Sequence, residues 1–177
     1  SIKGFGPTRV RNVINKIESL NNVQLIDFLR VEYKFDIHLS ELLEREKESN
    51  DILGKSYELG INVITYKSPD YPKSLTNLKD YPVILFVKGN ISAISTSNAI
   101  AIVGTRKPSK PTIDNGKYIC NKVSAHFDCL ISGLAIGCDT IAHESAIESG
   151  ISTVAVMPCG LDTIFPSKNV YLANKIR

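Results

Sequence analysis

Leu130-Ile131-Ser132-Gly133-Leu134-Ala135-Ile136-Gly137-Cys138-Asp139-Thr140-Ile141-Ala142-His143 contains a strand, a loop and a helix in succession. A short apolar run breaks into a loop of small residues with two glycines, and that loop leads straight into a helical pattern. Such a junction leaves backbone N–H groups unpaired at a helix N-terminus with no bulky side chains in front of them. A phosphate, a carboxylate or a nucleotide edge suits that place. The same construction occurs upstream as Ala101-Ile102-Val103-Gly104-Thr105-Arg106, this time with a cation. Two loops of this kind in consecutive βα units predict a site for an anionic ligand.

Working outward, the pattern from residue 99 alternates strand, loop and helix. A continuous apolar strand is expected over 99–103, as when both faces of a sheet are covered. A helix follows over 113–127, with Ile113, Lys117 (through its stem), Cys120, Val123 and Phe127 on the packed face. Next come a strand at 129–132, a helix over 140–149 stopped by Gly150, a strand over 153–157, a loop at Pro158-Cys159-Gly160 and a last helix from about Asn169. Parallel strands with crossover helices are the economical arrangement, and ligands of such sheets lie outside the carboxyl ends of the strands. The expected fold class is therefore α/β, a Rossmann-like, mostly parallel sheet.

The first sixty residues read differently. Pro7 suits a first helical turn, and Val10, Val13, Ile14, Ile17 and Leu20 fall at helical spacing. Asn22 is placed to cap a second helix through Leu25, Ile26, Phe28 and Leu29, and Ser40 a third that runs until Gly60. Short buried strands are expected at 61–66 and 83–87, separated by turns at Tyr71-Pro72 and Tyr81-Pro82. The division expected is a helical domain over 1–60 and an α/β domain over 61–177.

Composition narrows the class without naming a partner. Of 177 residues 43% are apolar and 22% charged, values of an ordinary globular chain. No apolar run reaches the roughly 20 residues a membrane helix needs, and no signal-peptide pattern opens the sequence. The net charge is only +3, but Lys3, Arg9, Arg11 and Lys16 crowd one end and Arg106, Lys107 and Lys110 crowd one loop. Glu41, Glu44, Glu46 and Glu48 lie between them. Cys120, Cys129, Cys138 and Cys159 lack paired metal or redox spacing and read as free thiols of a cytoplasmic protein, Cys138 being the one expected at the surface.

The loops exclude two familiar nucleotide sites. After the 99–103 strand only Gly104 stands where G-x-G-x-x-G would be, and the next strand ends in Ser132-Gly133 rather than a ribose-binding acid. No G-x-x-x-x-G-K-[ST] occurs. What remains is Gly104-Thr105-Arg106 facing Ser132-Gly133 and Gly137: glycines for close approach, hydroxyls on Thr105 and Ser132, and a guanidinium that fits phosphate in two places. Asp139 and His143 stand four apart on one helix face. Either they form a catalytic pair, or Asp139 caps the helix while His143 binds a backbone group or the neighbouring loop.

These residues, with Cys159-Gly160-Leu161-Asp162-x-x-Phe165-Pro166-x-x-Asn169, Tyr71-Pro72-x-x-Leu75 and Pro82-x-x-Leu85-Phe86-x-x-Gly89-Asn90, resemble the bacterial DNA-processing protein A (DprA/Smf) family. The blocks run in order from Tyr71 to Asn169, a little over half the chain. The resemblance implies a Rossmann-like domain that binds single-stranded DNA and delivers it to the RecA recombinase in natural transformation, with no catalytic residue, metal or cofactor. It implies nucleic-acid contacts from Gly104, Thr105, Arg106, Lys107, Lys110, Ser132, Gly133, Leu134, Ala135, Gly137 and Asn169, with Asp139, His143 and Phe165 in support. Gly4-Phe5-Gly6-Pro7 looks like the hairpin of a helix-hairpin-helix element carried by some members.

A second copy of the chain is a candidate partner; a membrane is not. The sequence departs from the family at Ile136, where Arg or Lys is frequent, at Cys138, where an aliphatic residue is usual, and at Phe165, where Tyr is common. The family's domain continues beyond the position of Arg177 with further strands and an Arg-rich segment, so the resemblance implies a truncated sheet. The competing reading is a nucleotide-binding enzyme or sensor related to the nucleoside-monophosphate phosphoribohydrolases. Their P-G-G-x-G-T stretch with a following Glu has no match, Pro158-Cys159-Gly160 lacking both the second glycine and the acid.

Overall fold

Three short parallel strands, β3 (Ala99–Ala101), β4 (Cys129–Ser132) and β5 (Ser152–Ala155), lie side by side in chain order. The register pairs Ala99 with Cys129 and Ala101 with Ile131, then Cys129 with Ser152 and Ser132 with Ala155. The structure is a computed structural model that describes residues 6–17, 20–35 and 37–176. Parallel neighbours need crossovers, and these are α5 (Lys110–Ser124) and α6 (Cys138–Glu148), packed against each other. Leu130, Cys120, Ala142 and Ala146 are buried between them and the sheet, joined by Ile100, Ile102 and Ile151.

Small residues set this close packing. An ideal Cβ on Gly116 would stand 3.7 Å from Ile141 Cγ2, so α5 turns Gly116 toward α6, while Lys117 is exposed rather than packed as expected. Cys120 and Ser124 complete the buried face. β3 is shorter than its apolar run because only Ile102 still reaches β4, through its N–H to Ile131 O at 3.0 Å. Beyond β5 the chain loops to α7 (Val170–Ile176), whose Leu172 and Ala173 bury against Leu134, Met157 and Ile164.

The opposite face of the sheet, at Ile131 and Val154, borders a groove of about 1030 Å³. Its other wall is the antiparallel ribbon of β1 (Ile61–Thr65) and β2 (Ile84–Lys88), together with α3 (Leu39–Glu58). These two strands are half-exposed rather than buried, as befits a two-stranded ribbon with one free face. Between them Tyr71 is buried and its hydroxyl donates to Pro82 O at 2.6 Å, tying the two proline turns together. A short helix, α4 (Ser92–Ser95), leads from the ribbon to β3.

Helices α1 (Pro7–Ile17), α2 (Asn22–Tyr33) and α3 precede the ribbon. Val13, Ile26, Leu29 and Ile37 form a core of their own. The cap of α2 is Asn21, one residue before the expected Asn22: its side chain accepts from Gln24 N while its own N–H donates to Gln24 Oε1, both at 3.0 Å. α3 starts after His38, leaving Ser40 inside the helix, and Gly60 at φ +65° ends it. The Gly4-Phe5 part of the expected hairpin lies outside the described residues. Arg11 is not a free surface cation: its guanidinium donates to Tyr81 O at 2.6 Å and Lys79 O at 2.8 Å and lies 3.7 Å over the Tyr81 ring.

Candidate functional site

All three strand-end loops emerge at one rim of the β3–β4–β5 sheet, and the chain fastens them to one another. The first, after β3, carries Gly104, Thr105, Arg106 and Lys107, with Lys110 opening α5, all of them exposed. Thr105 bends this loop by accepting Lys107 N at 3.2 Å, and Ser109 caps α5 through Thr112 N at 3.3 Å. The Thr105 carbonyl accepts the N–H of Cys138, the first residue of α6, at 3.1 Å. Two glycines permit the contact. A Cβ on Gly104 would sit 2.7 Å from Cys138 Sγ, and one on Gly137 would collide with Thr105 O and the Arg106 backbone. Gly137 also holds φ at +97°, which other residues rarely adopt.

The second loop, 133–137, is held from within. Asp139 Oδ2 accepts Gly133 N at 3.2 Å and Ala135 N at 3.3 Å. These two amides are therefore not the open donors expected of the junction; the first turn of α6 carries its own anion. A Cβ on Gly133 would approach Asp139 Oδ2 to 2.8 Å, which explains that glycine. Leu134 stands at φ +60° with its side chain buried against α7.

Several residues expected at the ligand surface turn inward instead. Ser132 is buried and donates to Ile102 O at 2.6 Å. Asn169 is buried too: its amide nitrogen donates to Leu134 O at 2.8 Å, to Thr140 Oγ1 at 2.9 Å and to Ala135 O at 3.4 Å. Thr140 adds a bond to Ala135 O at 2.9 Å, a brace that nothing in the sequence marked. Ser132, Leu134 and Asn169 thus shape the second loop rather than face a ligand. Asn169 also ties the third loop, 156–166, to the second, and Val156 N reaches Ser132 O at 2.8 Å. Phe165, in that third loop, is exposed.

Asp139 and His143 are both buried. His143 Nδ1 meets Thr153 Oγ1 at 2.7 Å, and the Thr153 hydroxyl donates to Leu130 O at 2.8 Å. Because that hydroxyl proton is committed, the ring donates from Nδ1, while its buried Nε2 has no hydrogen-bond partner among the described residues. Its partner is thus a β5 side chain, neither backbone nor loop. Burial, only partly opposed by the Asp139 charge, lowers the imidazole pKa to about 4. Of the thiols, Cys159 is exposed and Cys138 only partly so, the reverse of the expected order.

What faces outward is cationic and amide-rich. Among the described residues the N–H groups of Gly104, Thr105 and Arg106 have no hydrogen-bond acceptor, and Arg106, Lys107 and Lys110 enter no ion pair. The adjoining rim is apolar, through Val103, Ile136 and Val156, a feature that strand prediction did not expose. No helix of the described residues is long and apolar enough to cross a membrane.

Comparison with known proteins covers most of this architecture. A family model described as DNA recombination-mediator protein A matches residues 62–177. The DNA processing protein DprA of Bacillus subtilis (strain 168) is 35% identical over 127 residues, 70% of this chain and 41% of that protein. The X-ray structure of DNA processing protein A from Streptococcus pneumoniae superposes with a TM-score of 0.77 at 26% identity, over 98% of this chain and 60% of that one. A solved structure of DNA processing protein A from Helicobacter pylori, described for its single-stranded DNA binding mode, gives a TM-score of 0.56 at 30% identity, over 65% of this chain and 51% of that one. Across the curated relatives matched, the chain spans from 30% to 53% of their length.

Proposed function

The chain belongs to the DNA recombination-mediator protein A (DprA/Smf) family, and on that premise we propose that it binds single-stranded DNA and delivers it to a RecA-type recombinase in natural transformation. The observation that carries this reading is the fastening of Gly137 and Cys138 onto Thr105, which holds the Arg106 loop and the N-terminus of α6 as one surface. Arg106 offers a planar fork for a phosphate, with Lys107 and Lys110 beside it and open amides at Gly104 and Thr105 behind. The Gly133 and Ala135 amides, bound to Asp139, set the loop's shape. The rim binds rather than transforms its ligand, needs no cofactor, and works in the cytoplasm.

Residues 1–60 and 61–177 form the two domains of this reading. Separate apolar cores support the division, one drawn from residues 13–37 and the others from residues beyond 100. A second copy of the chain remains a candidate partner.

Fluorescence anisotropy with oligo-dT over a salt series tests the proposal. Three cations replacing counterions on a single strand give a log–log salt slope of about −2. Arg106→Ala lowers the affinity and flattens the slope by about 0.7. A chain that fails to bind oligo-dT, or binds it equally well without Arg106, overturns the assignment.

A further inference from the structure

The rim that bears the cations ends in exposed apolar surface. Val103 is 76% exposed and Val156 63%, where the first and third loops leave the sheet; Ile136, 42% exposed, precedes α6, and Phe165, 62% exposed, lies at the far end of the third loop. Exposed aliphatic residues scattered singly need no explanation, but here all four belong to the three loops that follow the parallel strands, and the third of these loops carries the aromatic ring.

Phe165 is held outward by its neighbours. Ile164 packs into the core with Leu134, Leu172 and Ala173, and four residues on Asn169 binds the second loop. The phenyl group therefore projects from an anchored backbone, and ordering it on a ligand costs little entropy.

Resting on the single-stranded DNA reading above, the geometry points to Phe165 as a nucleobase-stacking platform, with Arg106 and its neighbouring lysines holding the phosphates of the same strand. Cationic tracking of the backbone combined with an aromatic face for the bases is the general solution for sequence-tolerant single-strand binding. The loops supply both in a fixed order: Arg106 against Gly137, the second loop against Asn169, and Phe165 four residues before Asn169. Duplex DNA keeps its bases paired inside the helix and cannot offer a free face to the ring.

The absence of tryptophan from the chain makes the test direct. Anisotropy compares oligo-dT with an abasic oligomer of equal length and charge. The wild-type chain prefers oligo-dT by roughly tenfold, the effect of one stacked base. Phe165→Ala loses that preference while keeping the salt slope, and Phe165→Tyr retains the preference. Phe165→Trp provides a sole tryptophan, excited apart from the seven tyrosines, whose emission is quenched on saturation with oligo-dT and not with the abasic oligomer. Equal wild-type affinity for the two oligomers, or an unchanged preference in Phe165→Ala, removes Phe165 from the interface and leaves the phosphate contacts standing. Failure of the wild-type chain to bind either oligomer removes the DNA-binding reading and the stacking platform with it.

Discussion

Asp139, in the first turn of α6, directs one carboxylate oxygen backward, onto the amides of Gly133 and Ala135. Charge-assisted bonds to backbone donors are stronger than neutral ones, and their loss leaves two partly buried N–H groups without an acceptor. Asp139→Ala is expected to cost roughly 2–3 kcal/mol in urea unfolding; a loss below about 0.5 kcal/mol would mean that the loop holds its shape by other means. His143 adds a pH dependence of definite sign. The unfolded imidazole takes up a proton near 6.5, whereas the folded one stays neutral down to about 4. Its contribution is complete above pH 6.5 and declines as the pH falls toward 4, by roughly 3 kcal/mol across that window. Urea midpoints at about pH 7.5 and about pH 4.5 should differ less in His143→Gln than in the wild type. The glycines at 104, 133 and 137 were legible in the sequence because only a missing side chain allows such approaches. Ser132 and Asn169 were not, since the same polar groups serve a ligand or a carbonyl equally well.

The contact between the first loop and α6 is where an element-scale test applies. Gly137→Ala puts a methyl group into Thr105 O and forces a positive φ on alanine. The expected cost is roughly 2 kcal/mol or more, with weakened oligo-dT binding because the Arg106 loop loses its seat. Thermal melts and anisotropy read both effects; wild-type values in the two would show that the loops do not depend on each other. Elements with tight alternatives were readable at this scale. β4 falls at 129–132 as its apolar run demands, with neighbours on both edges and α6 behind. Cap positions moved by one or two residues, since Asn21 and Asn22 are chemically equivalent and only the geometry selects between them. The packed face of α5 turned on Gly116 rather than Lys117 because a helix packed this closely favours the residue with no side chain.

At the scale of the molecule, hydrophobic period distinguished the helical start from the α/β remainder. It said nothing about how they meet. That depends on long-range bonds such as Arg11 to Tyr81 O and Lys55 to Asp162, the latter at 2.7 Å, which leave no periodic trace. The groove between the sheet and the β1–β2 ribbon was equally invisible, because its lining residues read as ordinary core. Size yields one further expectation. Adjacent strands lie about 4.8 Å apart, so the first and third loops are separated by roughly 10 Å. With stacked bases rising about 3.4 Å each, one rim accommodates about three nucleotides. Competition with oligo-dT of increasing length should show affinity climbing steeply to about three or four nucleotides and slowly thereafter. A steep climb continuing to about ten nucleotides would require a longer path than this rim provides.

Because β3, β4 and β5 succeed one another without reversal, the row of loops has a head at Arg106 and a tail at Phe165. A polynucleotide also has unlike ends. Threaded one way it would present its 5′ side to the guanidinium, and threaded the other way its 3′ side, so the two orientations are diastereomeric and unequal in energy. A strand on this edge would therefore travel with a preferred polarity, imposed by nothing more than the order in which the sheet was wound.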